Sequence, residues 1–348
     1  FDMGGTTAKA CLIQDGRPDI AAMLEAGRVH RFKRGSGLPV RAPVIDMIEI
    51  GAGGGSIARA DSLGLLKIGP DSAGADPGPA CYGQGGTAPT VTDANLLLGY
   101  LDPDYFLGGE MTLDAQAAEA AIRDVAEPLG LSPLAAAWGI YDIVAENMAS
   151  AARVHIVEKG ADPRRFAMVA MGGAGPVHAA HVANKLGVSE IVVPPASGAA
   201  SALGFLAAPI AYEISRSLPM TLEAADFEAA NAALAEMESA SRGRLHGAGG
   251  EVSKVERFAE MRLQGQLHEI TVPLPDAPLT AKHTQDLIAS FEREYTRLYT
   301  HLYDGSRIEI VNWRIRCSGA TPSLNARLSG TRDVQALKGT RAIYTPDE

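Results

Sequence analysis

One segment, RFAMVAMGGAGPVHAAHVANKLG at residues 165–187, limits the possible folds more than any other. It has the pattern of a buried strand, a glycine-rich turn and a helix, and SEIVVP at 189–194 follows as a second strand. A helix that links two parallel strands is the unit from which α/β folds are built. The sequence therefore predicts an α/β fold for this part of the chain.

The chain changes character twice along its length. Residues 1 to about 110 are rich in Gly and Pro, and structured loops on this scale are usually functional. Helices and parallel strands follow as far as residue 208, and then a pattern of helix, hairpin, helix and strand. We therefore predict an α/β lobe at 1–208, with a Gly/Pro-rich insertion at about 44–110, and an α+β region at 209–348.

Individual elements carry their own signals. Ser132 and Pro133 predict the N-cap and the first position of a long helix. The uncharged stretch 191–212 is long enough to span a membrane, but its three prolines and many small residues favour a buried strand, turn and helix. RAIYT at 341–345 is strand-like, and because the chain also opens inside a turn, both ends are predicted to be cut.

Charge and cysteine content argue against several classes of function. Asp and Glu number 41 against 31 Lys and Arg, and without an extended basic cluster the net charge of −10 disfavours binding to nucleic acid. The three cysteines, Cys11, Cys81 and Cys317, have no metal-ligand spacing. With no recognisable leader, this composition predicts a reduced, cytoplasmic setting away from membranes.

Three glycine-rich turns carry most of the functional signal. The first, FDMGGTTAK at residues 1–9, places Asp2 and two glycines after a short apolar strand. Glycines bring backbone amides close to a phosphate, Thr hydroxyls add donors, and the Asp can hold a Mg²⁺-bound water or act as a base. A tight turn with nothing bound has the same residues, so the motif alone leaves both interpretations open.

The other two turns lead into different elements. MGGAGP at 171–176 precedes a helix whose N-terminal dipole attracts anions, although a purely structural turn is equally compatible. EIGAGGGSIA at 49–58 is close to the dinucleotide-binding fingerprint, but a strand, turn and strand come after it, which argues against a Rossmann fold. The sequence has no P-loop motif.

Histidines and an aspartate offer further candidates. His178 and His181 lie three residues apart on the predicted helix and could face the same way as metal ligands. Because no third ligand is evident, we favour one histidine that packs or caps the turn and one that is solvated. Asp93 in TVTDAN precedes the apolar run LLLGYL. It is either an exposed acid or base, or the N-cap of that run.

Five segments, in order, resemble the hydantoinase A/5-oxoprolinase family. They are FDMGGTTAKACLIQDG, IEIGAGGGSIARAD, KIGPDSAGADPGPACYGQGGTAPTVTDANLLLGYLDPDYFLGG, MASAARVHIVEKGADPRRFAMVAMGGAGPVHAAHVANKLG and MRLQGQLHEI. The block at 67–109 is the most specific, and the resemblance covers most of the chain before thinning after about residue 320.

The resemblance implies ATP-dependent ring opening of a cyclic amide, such as a hydantoin, 5-oxoproline or a lactam, by phosphorylation of the carbonyl oxygen. It also implies the actin, Hsp70 and sugar-kinase fold class (ribonuclease-H-like), in which two lobes close over ATP and Mg²⁺. Family members have an earlier lobe with its own Gly-Gly-Thr loop and a further β-rich C-terminal part, so this chain is expected to be a fragment. The expected partner is a hydantoinase B-type subunit, in a hetero-oligomer or a homo-oligomer.

The resemblance further implies roles for individual residues. The residues expected to bind ATP are Gly4, Gly5, Thr6 and Thr7, which donate to the phosphates from the second phosphate loop, and Gly172, Gly173 and Gly175, which approach the nucleotide from the adenosine-side loop MGGAGP. Asp2 is expected to orient Mg²⁺ through water, and Asp93 to act as an acid or base, whereas Lys9 receives no role. The residues expected on the substrate side or at the lobe interface are Gly53, Gly54, Gly55, Asn95 and His178.

Two alternatives stay open at this point. The first is a subunit of an ATP-dependent ketone carboxylase of the same family, which the sequence does not separate from the hydrolases. The second is an actin-like sugar kinase or a non-catalytic scaffold lobe.

Overall fold

Short antiparallel strands form the first part of the computed structural model, which describes residues 1–14, 16–21, 23–27, 36–40, 42, 44–299, 305–323 and 339–346. The strands are β1 (Asp2–Met3), β2 (Ala8–Cys11), β3 (Ile13–Gln14), β4 (Arg17–Pro18), β5 (Ile20–Ala21), β6 (Leu24–Ala26), β7 (Leu38–Val40), β8 (Val44–Ile45), β9 (Met47–Ile50), β10 (Ser56–Ala60) and β11 (Leu66–Ser72). β2 lies between β1 and β9, and β10 pairs with β11. The strand, turn and strand predicted after the third glycine-rich turn are thus confirmed.

Helices and a parallel pair of strands follow. They are α1 (Val91–Leu97), α2 (Ala115–Ala126), α3 (Pro133–Glu158), β12 (Met168–Val169), α4 (Gly175–Leu186), β13 (Ile191–Val192) and α5 (Ala200–Ala207). β12 and β13 pair in parallel with α4 between them in the chain, which confirms the predicted α/β unit. The N-cap of α3 is confirmed as well, because Ser132 Oγ accepts a hydrogen bond from Ala135 N at 3.2 Å.

Helix α3 runs through the core of the first part of the chain. Small and large side chains alternate on its buried side, where Ala136, Ile140, Val144 and Met148 have no exposed surface. Burying each of the larger side chains contributes about 1.5–3 kcal/mol. Because α3 contacts α1, α2 and α4, this packing fixes the positions of the helices next to the glycine-rich turns.

The later part of the chain forms an antiparallel sheet with two long helices. Its elements are β14 (Ala211–Thr221), α6 (Phe227–Gly247), β15 (Lys254–Leu263), β16 (Ile270–Pro273), α7 (Thr284–Tyr299) and β17 (Ile308–Ser318). The strand order is β14-β17-β15-β16, and each neighbouring pair is antiparallel. The predicted helix, hairpin, helix and strand are confirmed, and Trp313 is fully buried among them.

The chain divides into two compact units, Phe1–Ala202 with Ser329–Glu348, and Leu203–Leu328. The described end of the chain, 339–346, therefore belongs to the first unit. The strand predicted at 341–345 is wrong, because these residues are held mainly by individual contacts rather than by a strand partner. One such contact is the 2.7 Å hydrogen bond from Arg341 Nε to the carbonyl oxygen of Gly99.

The stretch 191–212 has the predicted order of strand, turn and helix, but its predicted burial is wrong. Val193 is 52% exposed and Phe205 is 86% exposed. A pair of two-residue strands shields little of its own side-chain surface, which accounts for the exposure near β13. Among the residues that the structure describes, no helix combines the length and the apolar character needed to cross a membrane.

Candidate functional site

The first glycine-rich turn, in residues 1–9, and the second, MGGAGP at 171–176, begin at the same end of two neighbouring parallel segments. Asp2 forms a parallel bridge with Met171, which follows β12 in the chain. Met171 N donates to Phe1 O at 2.8 Å and Met3 N donates to Met171 O at 3.0 Å. Because parallel strands end on the same side, the turns that start at Gly4 and Gly172 lie next to each other.

Gly172 lies directly against the first turn. Its φ of +85° is in the region that favours glycine. A Cβ at this position would lie 2.3 Å from Met3 O and 2.4 Å from Asp2 Oδ1. Ala174 N donates to Met3 O at 2.9 Å, so the second turn also holds the first through a main-chain hydrogen bond. The contact therefore requires glycine at residue 172.

The third glycine-rich segment, 53–55, is buried behind the first turn. Gly54 N donates to Gly4 O at 3.0 Å, and Gly55 N donates to Gly5 O at 2.6 Å. A Cβ on Gly53 would lie 2.6 Å from the backbone of Gly5. These glycines are thus buried and support the first turn from behind, and their expected place on the substrate side or at the lobe interface stays a prediction.

A fourth segment, 196–201, joins the site, although sequence reasoning does not identify it. Gly172 N donates to Ser197 O at 2.9 Å, and Ser201 Oγ donates to Asp2 Oδ2 at 2.7 Å. Its position after β13 could have indicated a role, because loops at the carboxyl ends of parallel strands commonly bind ligands. The apolar composition of the stretch points instead to a membrane span or a buried element, and this obscures the loop.

Several amide donors of the two exposed turns have no protein acceptor. Within the described residues, this holds for the amides of Gly5, Thr6 and Gly173. No atom would lie within 4 Å of a Cβ on Gly5 or Gly173, so open space faces both backbones. Helix α4 starts at Gly175 without a side-chain cap at Ala174. Unpaired amides, open space and a helix N-terminus together fit a bound anion such as phosphate.

Thr7 and Lys9 form a polar group beside the first turn. Lys9 Nζ donates to Thr7 Oγ1 at 3.0 Å and lies 3.4 Å from Glu49 Oε1. The Thr7 hydroxyl thus accepts from Lys9 and keeps its own proton available to an acceptor. This arrangement is compatible with the phosphate contact expected for Thr7.

Asp93 is buried, with no exposed surface. Its carboxylate accepts hydrogen bonds from Cys81 N at 2.8 Å, from Thr90 N at 2.9 Å and from Thr90 Oγ1 at 2.7 Å, with Ala80 N at 3.3 Å. Thr90 is the N-cap of α1, and Asp93 completes a capping box with it. Both expectations for Asp93 are corrected, because it is neither an exposed acid or base nor the N-cap itself. It positions 80–81 against α1.

Asn95 and His178 are also buried, and they contact each other. Asn95 Nδ2 lies 3.1 Å from His178 Nε2, and the His178 ring stacks on Tyr141 at 4.8 Å. Burial, and to a lesser degree nearby His181, lowers the pKa of His178 to about 3, so the ring is neutral at pH 7. Both side chains therefore lie between α1 and α4, and their expected place on the substrate side or at the lobe interface stays a prediction.

His181 lies on the same face of α4 as His178 but has a different partner. Its Nε2 atom lies 2.7 Å from Asp142 Oδ1, and its ring stacks on Tyr141 at 5.2 Å. Among the described residues, no group of three or more His, Cys, Asp or Glu side chains is placed to hold a metal ion. Both histidine rings stack on Tyr141, so the expected packed histidine is His178, whereas His181, whose side chain is 23% exposed and paired with Asp142, is not the solvated residue that the sequence predicts.

Comparisons with known proteins show the family of the chain. Residues 1–214 match the family model described as hydantoinase/oxoprolinase. The chain is 39% identical to caprolactamase subunit alpha of Pseudomonas jessenii over 324 residues, which cover 91% of this chain and 45% of that protein. The crystal structure of the ATP-dependent caprolactamase from the same organism matches with a TM-score of 0.74 and 35% identity, over 100% of this chain and 50% of that one.

A second kind of enzyme is similar to nearly the same degree. The nucleotide-free structure of acetone carboxylase, described with the mechanism of ATP-dependent acetone carboxylation, matches with a TM-score of 0.72 and 30% identity. The match covers 92% of this chain and 46% of that one. The chain thus spans about half the length of these relatives.

Proposed function

Since the chain belongs to the hydantoinase/oxoprolinase family, we propose that it supplies one half of the ATP site of an enzyme that opens a cyclic amide. The observation that carries the proposal is the meeting of two glycine-rich turns with unpaired amides beside Asp2. The ATP dependence of similar enzymes, caprolactamase and acetone carboxylase, supports the same assignment.

Each part of the site has a role in this proposal. The residues that would hold the phosphates are Gly4, Gly5, Thr6, Thr7, Gly172, Gly173 and Gly175. Asp2 would orient Mg²⁺ through water, and Mg²⁺ would supply charge neutralisation at the phosphates. Catalysis of phosphoryl transfer rests mainly on positioning and on neutralising charge, which amides on a rigid scaffold can provide.

The proposed reaction has three steps. The ring carbonyl oxygen attacks the γ-phosphorus of ATP, so that a new O–P bond forms as the bond to the β-phosphate oxygen breaks and ADP leaves. Water then adds to the activated carbon, and the ring C–N bond breaks with protonation of nitrogen, which leaves an acyl phosphate. A second water hydrolyses the acyl phosphate, and the carboxylate and inorganic phosphate are released. A poor electrophile thereby acquires a good leaving group.

The rest of the enzyme would complete the site. We propose that this chain is one lobe of a two-lobed arrangement of the actin and sugar-kinase type, and that the other lobe comes from the remainder of a longer polypeptide. Several similar proteins are named as subunits, which supports a hydantoinase B-type partner in a multi-subunit enzyme.

A ketone carboxylase is the second candidate, favoured by the similarity to acetone carboxylase. It would use the same phosphate site with a different acceptor. The two candidates are separated by incubating the full-length protein and its partner with ATP and either cyclic amides or a ketone with bicarbonate. Phosphate release that depends on a cyclic amide supports the hydrolase, and release that depends on the ketone with bicarbonate supports the carboxylase.

The phosphate site itself is tested by Gly5→Val. The open space at Gly5 allows the chain to fold, but the added side chain would occupy the approach to the amides, so we expect ATP binding to be lost with no change in melting temperature. Gly243→Val is the matched control, because Gly243 also faces open space but lies in α6. Unchanged ATP affinity in Gly5→Val, measured by calorimetry, would contradict the assignment.

A further inference from the structure

The loop after β13 brings a hydroxyl group to the acid of the site. Ser201 Oγ donates to Asp2 Oδ2 at 2.7 Å, and hydrogen bonds from a hydroxyl to a carboxylate at this distance are among the stronger ones in proteins. The other carboxylate oxygen, Oδ1, lies against Gly172, where a Cβ would be only 2.4 Å away. The Asp2 side chain is thus hydrogen-bonded through Oδ2, while Oδ1 occupies the space beside the Gly172 backbone that a side chain there would need.

The loop that carries Ser201 has a conformation fixed by its own contacts. Ala196 has a φ of +54°, which costs a non-glycine residue of the order of 1–3 kcal/mol and persists only where surrounding contacts determine it. Ser197 N donates to Pro194 O at 3.1 Å, and Ser197 O accepts from Gly172 N at 2.9 Å. These bonds tie the loop to the second glycine-rich turn. Ser201 therefore reaches Asp2 from a fixed position.

We propose that Ser201 is a positioning residue for Asp2, and that its hydroxyl orients the carboxylate toward the Mg²⁺ that accompanies the nucleotide. The inference rests on the proposed function. An ionised carboxylate has about four lone-pair sites, so the bond from Ser201 leaves acceptor sites for metal-bound water. A carboxylate that is already oriented loses little rotamer freedom when the cation binds. Outer partners of this kind typically change metal affinity by about 10–100-fold.

A competing possibility predicts the opposite change in Mg²⁺ affinity when the Ser201 hydroxyl is removed. If the hydroxyl of Ser201 occupied a position that Mg²⁺-bound water needs, its removal would strengthen the binding of the cation. If the contact were only structural, removal would change neither metal-dependent nor metal-free binding of the nucleotide. The Mg²⁺ dependence of nucleotide binding therefore distinguishes the three cases without any measurement of turnover.

The test uses the full-length protein with its partner subunit and calorimetric titration with a non-hydrolysable ATP analogue. Titrations are run at a series of Mg²⁺ concentrations and again with EDTA. For Ser201→Ala we expect the apparent Mg²⁺ affinity to fall by about 10–100-fold, while affinity for the metal-free nucleotide stays the same. Ser201→Thr keeps the hydroxyl and should restore Mg²⁺ affinity. Ser189→Ala removes an exposed hydroxyl ahead of β13 and serves as the control.

A double variant connects the effect to Asp2. In the Asp2→Asn background, Ser201→Ala should cause no further loss of Mg²⁺ affinity, because the two residues act as one unit. Unchanged or stronger Mg²⁺ binding in Ser201→Ala would overturn the inference and leave the proposed function intact. If the wild-type protein binds no nucleotide at all, the proposed function fails together with the inference.

Discussion

Arg314 in the second unit and the turn amides in the first unit are polar groups with opposite surroundings. The guanidinium of Arg314 is buried, with carboxylate oxygens of Glu213 and Glu260 at 3.5 and 3.6 Å and the ring of Phe258 at 5.0 Å. The first unit leaves several amides at its glycine-rich turns without a protein acceptor in the described chain, those of Gly5, Thr6 and Gly173 among them. The comparison shows that the charge of Arg314 is balanced by carboxylates of its own unit, although its Nε atom has no hydrogen-bond partner among the described residues, whereas the turn amides are free to bind a ligand.

The largest expected effect is a loss of stability that is confined to the second unit. Trp313 is fully buried and its Nε1 atom donates to Leu218 O at 3.2 Å. Trp313→Ala should destabilise this unit by about 3–5 kcal/mol through the cavity that it leaves. Hydrogen exchange on the full-length protein should show lost protection in β15 and β17 but not in α3. Equal loss of protection in α3 would show that the two units do not unfold separately.

The next largest effect falls on the junction of the first unit. Gly172→Ala forces a Cβ against Met3 O at a positive φ, and strain plus crowding should cost about 3 kcal/mol and abolish nucleotide binding. Gly173→Ala, which faces open space at an ordinary φ, should stay within about 0.5 kcal/mol of wild type. Chemical denaturation measures both variants. Equal stability of the two would remove the argument for a close approach at residue 172.

A smaller expected effect is the pH dependence of stability that the first unit owes to His178. Burial lowers the pKa of His178 to about 3, against about 6.5 in the unfolded chain, so the unfolded state binds more protons between these values. Stability from the neutral ring is therefore complete above pH 6.5 and is lost as the pH falls. His178→Gln should remove about 2 kcal/mol of the stability change between pH 7 and pH 5. Urea denaturation at both pH values checks this, and identical pH dependence in the variant would contradict it.

The elements were predictable from the sequence to a large extent. The N-cap at Ser132 and the strand, turn and helix around Gly172 depend on local patterns, which a sequence displays directly. The site was predictable only in part, because the two turns are brought together by the parallel bridge between Asp2 and Met171. Such pairing joins segments that are distant in the sequence, and no local pattern predicts it.

The errors have physical causes as well. One alternative that the sequence offers for Asp93 is an exposed carboxylate, since Asp is common in exposed loops. Tertiary hydrogen bonds override that tendency, and Asp93 is buried because three backbone amides and a hydroxyl surround its carboxylate. The role of Ser201 is not evident from the sequence, because its partner Asp2 lies 199 residues away.

The first turn is held from behind by main-chain atoms, through Gly54 N to Gly4 O, Gly55 N to Gly5 O and Ala73 N to Gly55 O. Main-chain hydrogen bonds do not depend on the identity of a side chain, so this geometry passes to any descendant that keeps glycine where a Cβ has no room. Selection on substrate preference can then alter neighbouring side chains without moving the turn. On the proposed function, diverging enzymes inherit one way of holding a phosphate while they change the group that receives it.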